Sequence, residues 1–172
     1  LELRGRARIA SRGAARKVIE GVRRSGELTV EAWARSYDLK QDGPARLVTI
    51  SRDTSNRNFT LGQDGSRFNV RLRSTKTSRN GLPALETPEG RASLRLDHLV
   101  YARERGGRAR FHLNGKQVAE RKVSGDLRNW DANYRLSLGD EMTGDRGWKG
   151  ELHLVAAYGR ALSAEEVKRH FE

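Results

Sequence analysis

"RARFHLNGKQVAER", residues 108–121, reads as a β-hairpin. Ala109, Phe111 and Leu113 alternate with Arg108, Arg110 and His112, the period of a strand with one apolar and one polar face. Asn114-Gly115 then turns the chain, because both central positions of a type I′ turn need φ > 0, and Val118 returns on the far side. The outward arginines are either solvated sheet surface or a display to something negative.

The same period runs outward in both directions. "ELTVEAWARS" (27–36) sets Leu28, Val30, Ala32 and Ala34 on one face and Thr29, Glu31, Trp33 and Arg35 on the other. "RLVTISRD" (46–53) and "NFTLGQ" (58–63) read as strands, and Asp64-Gly65 as a tight turn into "SRFNVRLRS" (66–74). There Phe68, Val70 and Leu72 oppose Arg67, Asn69, Arg71 and Arg73. "SLRLDHLVYARER" (93–105) turns at Gly106-Gly107 into the hairpin, and "NYRLSLGD" (133–140) and "WKGELHLVAAYGR" (148–160) close the series. Residues 75–92 hold two of the three prolines and no period, which predicts a long loop. Only two stretches are helical. Residues 11–24 carry Ala15, Val18, Ile19 and Val22 at helical spacing, with Ser11 as expected N-cap and Gly26 past the end. Ser163 and Glu166 form a capping box for "SAEEVKRHF". Nine to eleven antiparallel strands with almost no helix between them exclude a parallel βαβ architecture. An all-β two-sheet sandwich or jelly roll is predicted.

At 172 residues the chain fits one domain, 1–172, and the absence of an initial Met reads as a piece of a longer protein. The net charge is +12, carried by 34 basic residues of which 7 are Lys and 27 Arg. That excess reflects either gene base composition or an anionic partner, since guanidinium groups fit carboxylate, sulfate or phosphate in bidentate fashion. With no Cys, a disulfide scaffold and a thiolate metal site are excluded. No apolar run is long enough for a membrane span.

Four pieces in order resemble the laminin-G-like, concanavalin A-like jelly-roll domains: "ELTVEAW" (27–33), "DHLVYARERGGRARFHLNGKQVA" (97–119), "RLSLGDE" (135–141) and "WKGELHLVAAYGRALSAEEV" (148–167). The family's opening strand, upstream of "LELRGRARIAS", is missing from the match. The resemblance implies two curved antiparallel sheets, a glycan or protein ligand, an extracytoplasmic location and, in some members, a calcium ion. Fold alone does not settle function.

Relatives that hydrolyse glycosides need two carboxylates close together on one strand. No Glu here has Asp at the second position after it, and His98, His112, His153 and His170 lack metal-ligand spacing. The chain is therefore read as non-catalytic, with a polysaccharide lyase as the enzymatic alternative. If the strands 27–36 and 66–74 share a sheet, Arg71, Arg73, Arg35, Asn69 and Glu31 form one polar face. Trp33 stands among them to stack a pyranose ring. Hard oxygen ligands for calcium are sought at Asp140 and Asp145, and in related domains at the position that Asn58 occupies. No nucleic-acid-binding motif appears. The reading is a carbohydrate- or protein-binding accessory module, with an acidic polysaccharide as ligand and other domains of the parent protein as neighbours. The rival is a structural interdomain module with no ligand.

Overall fold

The computed structural model describes residues 1–5 and 7–172. Its elements are β1 (Glu2–Arg4), β2 (Ile9–Ala10), α1 (Arg16–Ser25), β3 (Leu28–Ser36), β4 (Ala45–Ser51), β5 (Arg57–Asp64) and β6 (Arg67–Leu72). Then follow β7 (Leu85–Glu86), β8 (Leu96–Arg103), β9 (Arg108–Leu113), β10 (Lys116–Lys122), β11 (Arg135–Leu138), β12 (Lys149–Tyr158) and α2 (Ala164–Phe171). They make two six-stranded antiparallel sheets. The first is ordered β1-β12-β3-β8-β9-β10 and the second β2-β11-β4-β5-β6-β7. The predicted jelly-roll sandwich is the observed fold.

Alternation decides what fills the space between the sheets. Leu28, Val30 and Ala34 of β3, Leu99 and Tyr101 of β8, and Ala109 and Phe111 of β9 face Phe59, Leu61, Phe68, Val70 and Leu72 of the second sheet. Phe68 stacks on Phe111 and Phe59 tilts against Tyr101. Burial of these apolar side chains, at roughly 25 cal/mol per Å², is the main force holding the layers together. A polar tie crosses the same gap. Gln63 of β5 accepts hydrogen bonds from Ser36 of β3 and from Trp148, both at 2.8 Å, and donates to the carbonyls of Asp38 and Gly65.

The turn chemistry is largely as read. Asn114 (φ 51°) and Gly115 (φ 75°) make the β9–β10 turn, and Gly26 caps α1 in the left-handed region. The β5–β6 turn sits one residue later than expected, at Gly65-Ser66, because Asp64 still pairs with Arg67. Ser11 is not the N-cap of α1. Ala10 pairs with Ser137 as part of an edge strand, so Ser11 stays on that sheet, accepting from Leu136 N at 3.1 Å, and α1 starts four residues later than drawn. Inside the 75–92 loop, Leu85–Glu86 pairs with β6 as the sheet edge. The edge of the first sheet is β10, largely exposed and interrupted by a bulge between Gln117 and Ala119.

One outward face is not solvated. Both halves of the Ser163–Glu166 capping box form. The helix they start lies over the outside of the first sheet, burying Val167 and Leu162 against Val100. Thr29 and Glu31, expected on a polar surface, are therefore buried.

Candidate functional site

The expected arginine face does not exist as one surface. β3 lies in the first sheet and β6 in the second, so Glu31, Trp33 and Arg35 are separated by the core from Asn69, Arg71 and Arg73. Glu31 lies under α2, with His98 Nε2 at 2.7 Å, Tyr158 donating at 3.0 Å and His170 Nδ1 at 3.1 Å. Burial works against its charge, but these hydrogen bonds prevail and hold the carboxyl below the usual range. Trp33 clusters with His98 and Phe171, at centroid distances of 4.8 and 5.9 Å, and is partly covered by them. On β6, Arg71 is half-buried and tied to the side-chain oxygens of Asn69 and Asn80, while Asn69 donates to Glu86.

The three residues proposed for calcium do not come together either. Asn58 uses its whole amide on the main chain of Asp131, donating to its carbonyl and accepting from its N–H, both at 2.8 Å. Asp140 Oδ1 accepts from the N–H groups of Glu141 and Arg146, and Asp145 Oδ1 accepts from Thr143. These are turn-making bonds, the commonest use of acidic residues in loops. Among the described residues no group of three or more His, Asp or Glu could hold a metal ion. The donor set does not fit calcium.

Arg73 leads instead to a cleft at one end of the second sheet. Asp53 builds the β4–β5 turn, accepting from Ser55 N, Asn56 N and Asn56 Nδ2 at 2.8–2.9 Å. Burial opposes its ionisation, yet the bonds from Asn56, Ser55 and Arg52 bring its pKa down to about 2. Asn58 and Trp130 then bolt the 129–131 loop to the sheet, Trp130 Nε1 donating to the carbonyl of Arg73 at 2.8 Å. Arg57 N donates to Arg79 O at 3.1 Å and fixes the other wall. Arg52, Arg73 and Arg79 thus surround a polar cleft of about 240 Å³, with Asn56, Asp131 and Tyr134. A second hollow of about 370 Å³ shares Arg52, Asp131 and Tyr134 and extends to Arg135 and Met142. Arg52 is paired with Asp53, whereas the side chains of Arg73 and Arg79 make no hydrogen bond or ion pair among the described residues.

Behind the cleft wall lies a buried ion cluster. Glu141 Oε2 accepts from Arg46 Nε at 3.0 Å and stands 4.0 Å from Arg57 Nη1. Its Oε1 accepts from Ser51 Oγ and Met142 N, two residues that line the hollow. Burial, reinforced by Arg46, draws the Arg57 pKa down to about 9, so the group stays charged at neutral pH. Two guanidiniums against one carboxylate add positive potential to the end of the sheet. Of the cleft residues, sequence reading had found only Arg73 as an anion ligand. Arg79 sat inside the flagged loop, and the signal for Arg52 was the "RDTSN" turn (52–56), whose Asp-to-Asn spacing closes on itself.

Two antiparallel sheets with a loop-built cleft at one end define a lectin-like β-sandwich. The chain belongs to the Concanavalin A-like lectin/glucanases superfamily, whose family model matches residues 13–168. Similar solved structures include the SAP-like pentraxin from Limulus polyphemus (TM-score 0.65, 14% identity, covering 86% of this chain and 70% of that one). Another is the binding domain of botulinum neurotoxin DC in complex with rat synaptotagmin II (0.66, 10%, 95% and 41%). A third is a structure of botulinum neurotoxin type C, whose cell entry is dependent upon interaction with two ganglioside molecules (0.62, 11%, 84% and 35%). The chain spans roughly two fifths of the neurotoxin chains it matches. At these identities the likeness shows the fold. No curated protein matches.

Proposed function

We propose that the domain is a non-catalytic binding module for an anionic polysaccharide, acting outside the cytoplasm as an accessory to a larger protein. The observation that supports it is the pair Arg73 and Arg79. Both are unpaired among the described residues, while the guanidinium groups of Arg46, Arg57 and Arg71 each donate to protein acceptors. A carboxylate or sulfate group takes the place of the missing acceptors, in charge-assisted bonds worth about 1.5–3 kcal/mol each. Tyr134, 8% exposed, lines both hollows and bounds the space a sugar would occupy. Arg71 and Asn69, held by their own protein partners, drop out of the reading together with Arg35, Trp33, Glu31 and calcium. The net charge of +12 speeds encounter with a polyanion and makes binding salt-sensitive.

A glycan array in physiological salt, comparing acidic with neutral chains, tests the reading. Preference for the acidic set, weakened at least tenfold by Arg73→Ala with Arg79→Ala, is expected. Equal binding of both sets, or no effect of the double substitution, refutes it. Release of unsaturated uronic acid would turn the reading toward a lyase.

A further inference from the structure

A second surface lies across the sandwich from the cleft. Four of the exposed large apolar residues gather there: Leu94 (52% exposed), Leu96 (43%), Leu154 (47%) and Phe171 (38%). Register explains the grouping. Leu154 is opposite Trp33, Trp33 opposite His98, and Arg35 opposite Leu96, all on the outside of the first sheet. Phe171, at the end of α2, stacks on Trp33 and His98. Arg35 donates to the carbonyl of Leu94 at 3.1 Å, which joins that loop to the patch. Beside it is an open pocket of about 420 Å³ whose lining includes Phe171, Leu113, Arg91, Arg95 and Lys116. The side chains of Arg91, Arg95 and Lys116 make no hydrogen bond or ion pair among the described residues. The nearby Asp97 carboxylate is spent on Ser93 and Asn114.

From this we infer that the outer face of the first sheet beside α2 docks on an anionic lipid bilayer. The apolar side chains come from a loop, two strands and a helix end, and share one side of the molecule. They suit insertion into a headgroup–acyl boundary, with the surrounding cations pairing to phosphate. A second copy of the chain is disfavoured as occupant, because two surfaces of a +12 domain repel. No described helix is long and apolar enough to cross a membrane, so the contact is peripheral.

Vesicles of phosphatidylcholine alone, and of phosphatidylcholine with phosphatidylglycerol, test the inference by co-sedimentation and tryptophan emission. Trp130 and Trp148 are buried, so quenching by brominated acyl chains reports Trp33. Binding to the anionic vesicles with quenching is expected. Leu94→Ser with Leu96→Ser should weaken it about tenfold or more, and Arg95→Ser or Lys116→Ser about fivefold each. The Arg73→Ala, Arg79→Ala variant should bind vesicles as the parent does, which separates this surface from the proposed glycan cleft. Absence of vesicle binding, binding indifferent to the leucine substitutions, or loss confined to the cleft variant overturns the inference. An acidic protein partner in place of lipid belongs to the first of these outcomes.

Discussion

Asn58 holds the main chain of Asp131 from both sides, its amide donating to the carbonyl and accepting from the N–H at 2.8 Å each. The side chain is fully buried, and its loss leaves both main-chain groups of Asp131 without their protein partner. Asn58→Ala should lower the unfolding free energy by about 2–3 kcal/mol. A urea titration should show an earlier midpoint at an unchanged slope. Because the clamp forms one wall of the arginine cleft, acidic-glycan binding should fall in the same variant.

Among the described residues, Glu141 is the only carboxylate paired with both Arg46 and Arg57 in the buried cluster. Glu141→Gln keeps the shape but leaves two buried guanidiniums uncompensated, at about 3–5 kcal/mol. Adding Arg46→Met removes one of the stranded charges and should recover part of the loss, a non-additivity that a double-mutant cycle measures.

His112 is 1% exposed, and neither ring nitrogen has a partner. Burial, then the charges of Arg110 and His98, bring its pKa from 6.5 to about 4. A histidine whose folded pKa lies below its unfolded value takes up its proton more readily when unfolded. Acidification from pH 6.5 towards 4 therefore costs stability, up to about 3 kcal/mol. His112→Leu should flatten stability against pH across that window, as read from denaturation midpoints at successive pH values. An unchanged pH profile in the variant would assign the acid sensitivity elsewhere.

Gln63 ties the two sheets together, and its replacement strands Trp148 Nε1 in a dry core, while Ser36 Oγ keeps the Asp38 carbonyl and Gln41 Nε2 as partners. Gln63→Leu should cost about 3 kcal/mol or more. Trp148→Phe added to it should restore a fraction, since the indole N–H no longer lacks an acceptor.

Strand existence was legible because alternation is local. Phe68, Val70 and Leu72 declare a face without knowing their neighbours, and Asn114-Gly115 declares a turn by its own backbone needs. Sheet membership was not legible. Whether Arg35 and Arg71 share a surface depends on strand order, which is a long-range property, and the pairing assumed from their similar patterns was wrong. The same limit hid the covering of Glu31. Its outward position on β3 could be read, but the docking of a helix more than 130 residues later could not. The cleft escaped because its walls come from the 52–56 turn, the stretch after β6 and the loop before β11, segments far apart in sequence that long-range bonds of Asn58, Trp130, Asn129 and Arg57 bring together. The supposed calcium ligands failed for a chemical reason. Asn and Asp beside turns satisfy main-chain N–H groups first, and nothing in composition distinguishes that duty from metal coordination.

The rim strand β10 sets how the domain behaves in a crowd. Lys116, Glu120, Arg121 and Lys122 stud its free border, and the kink at Val118 breaks the flat row of hydrogen-bonding groups that another chain would copy. Copies of the domain brought side by side would therefore resist zipping through this border into a continuous ribbon.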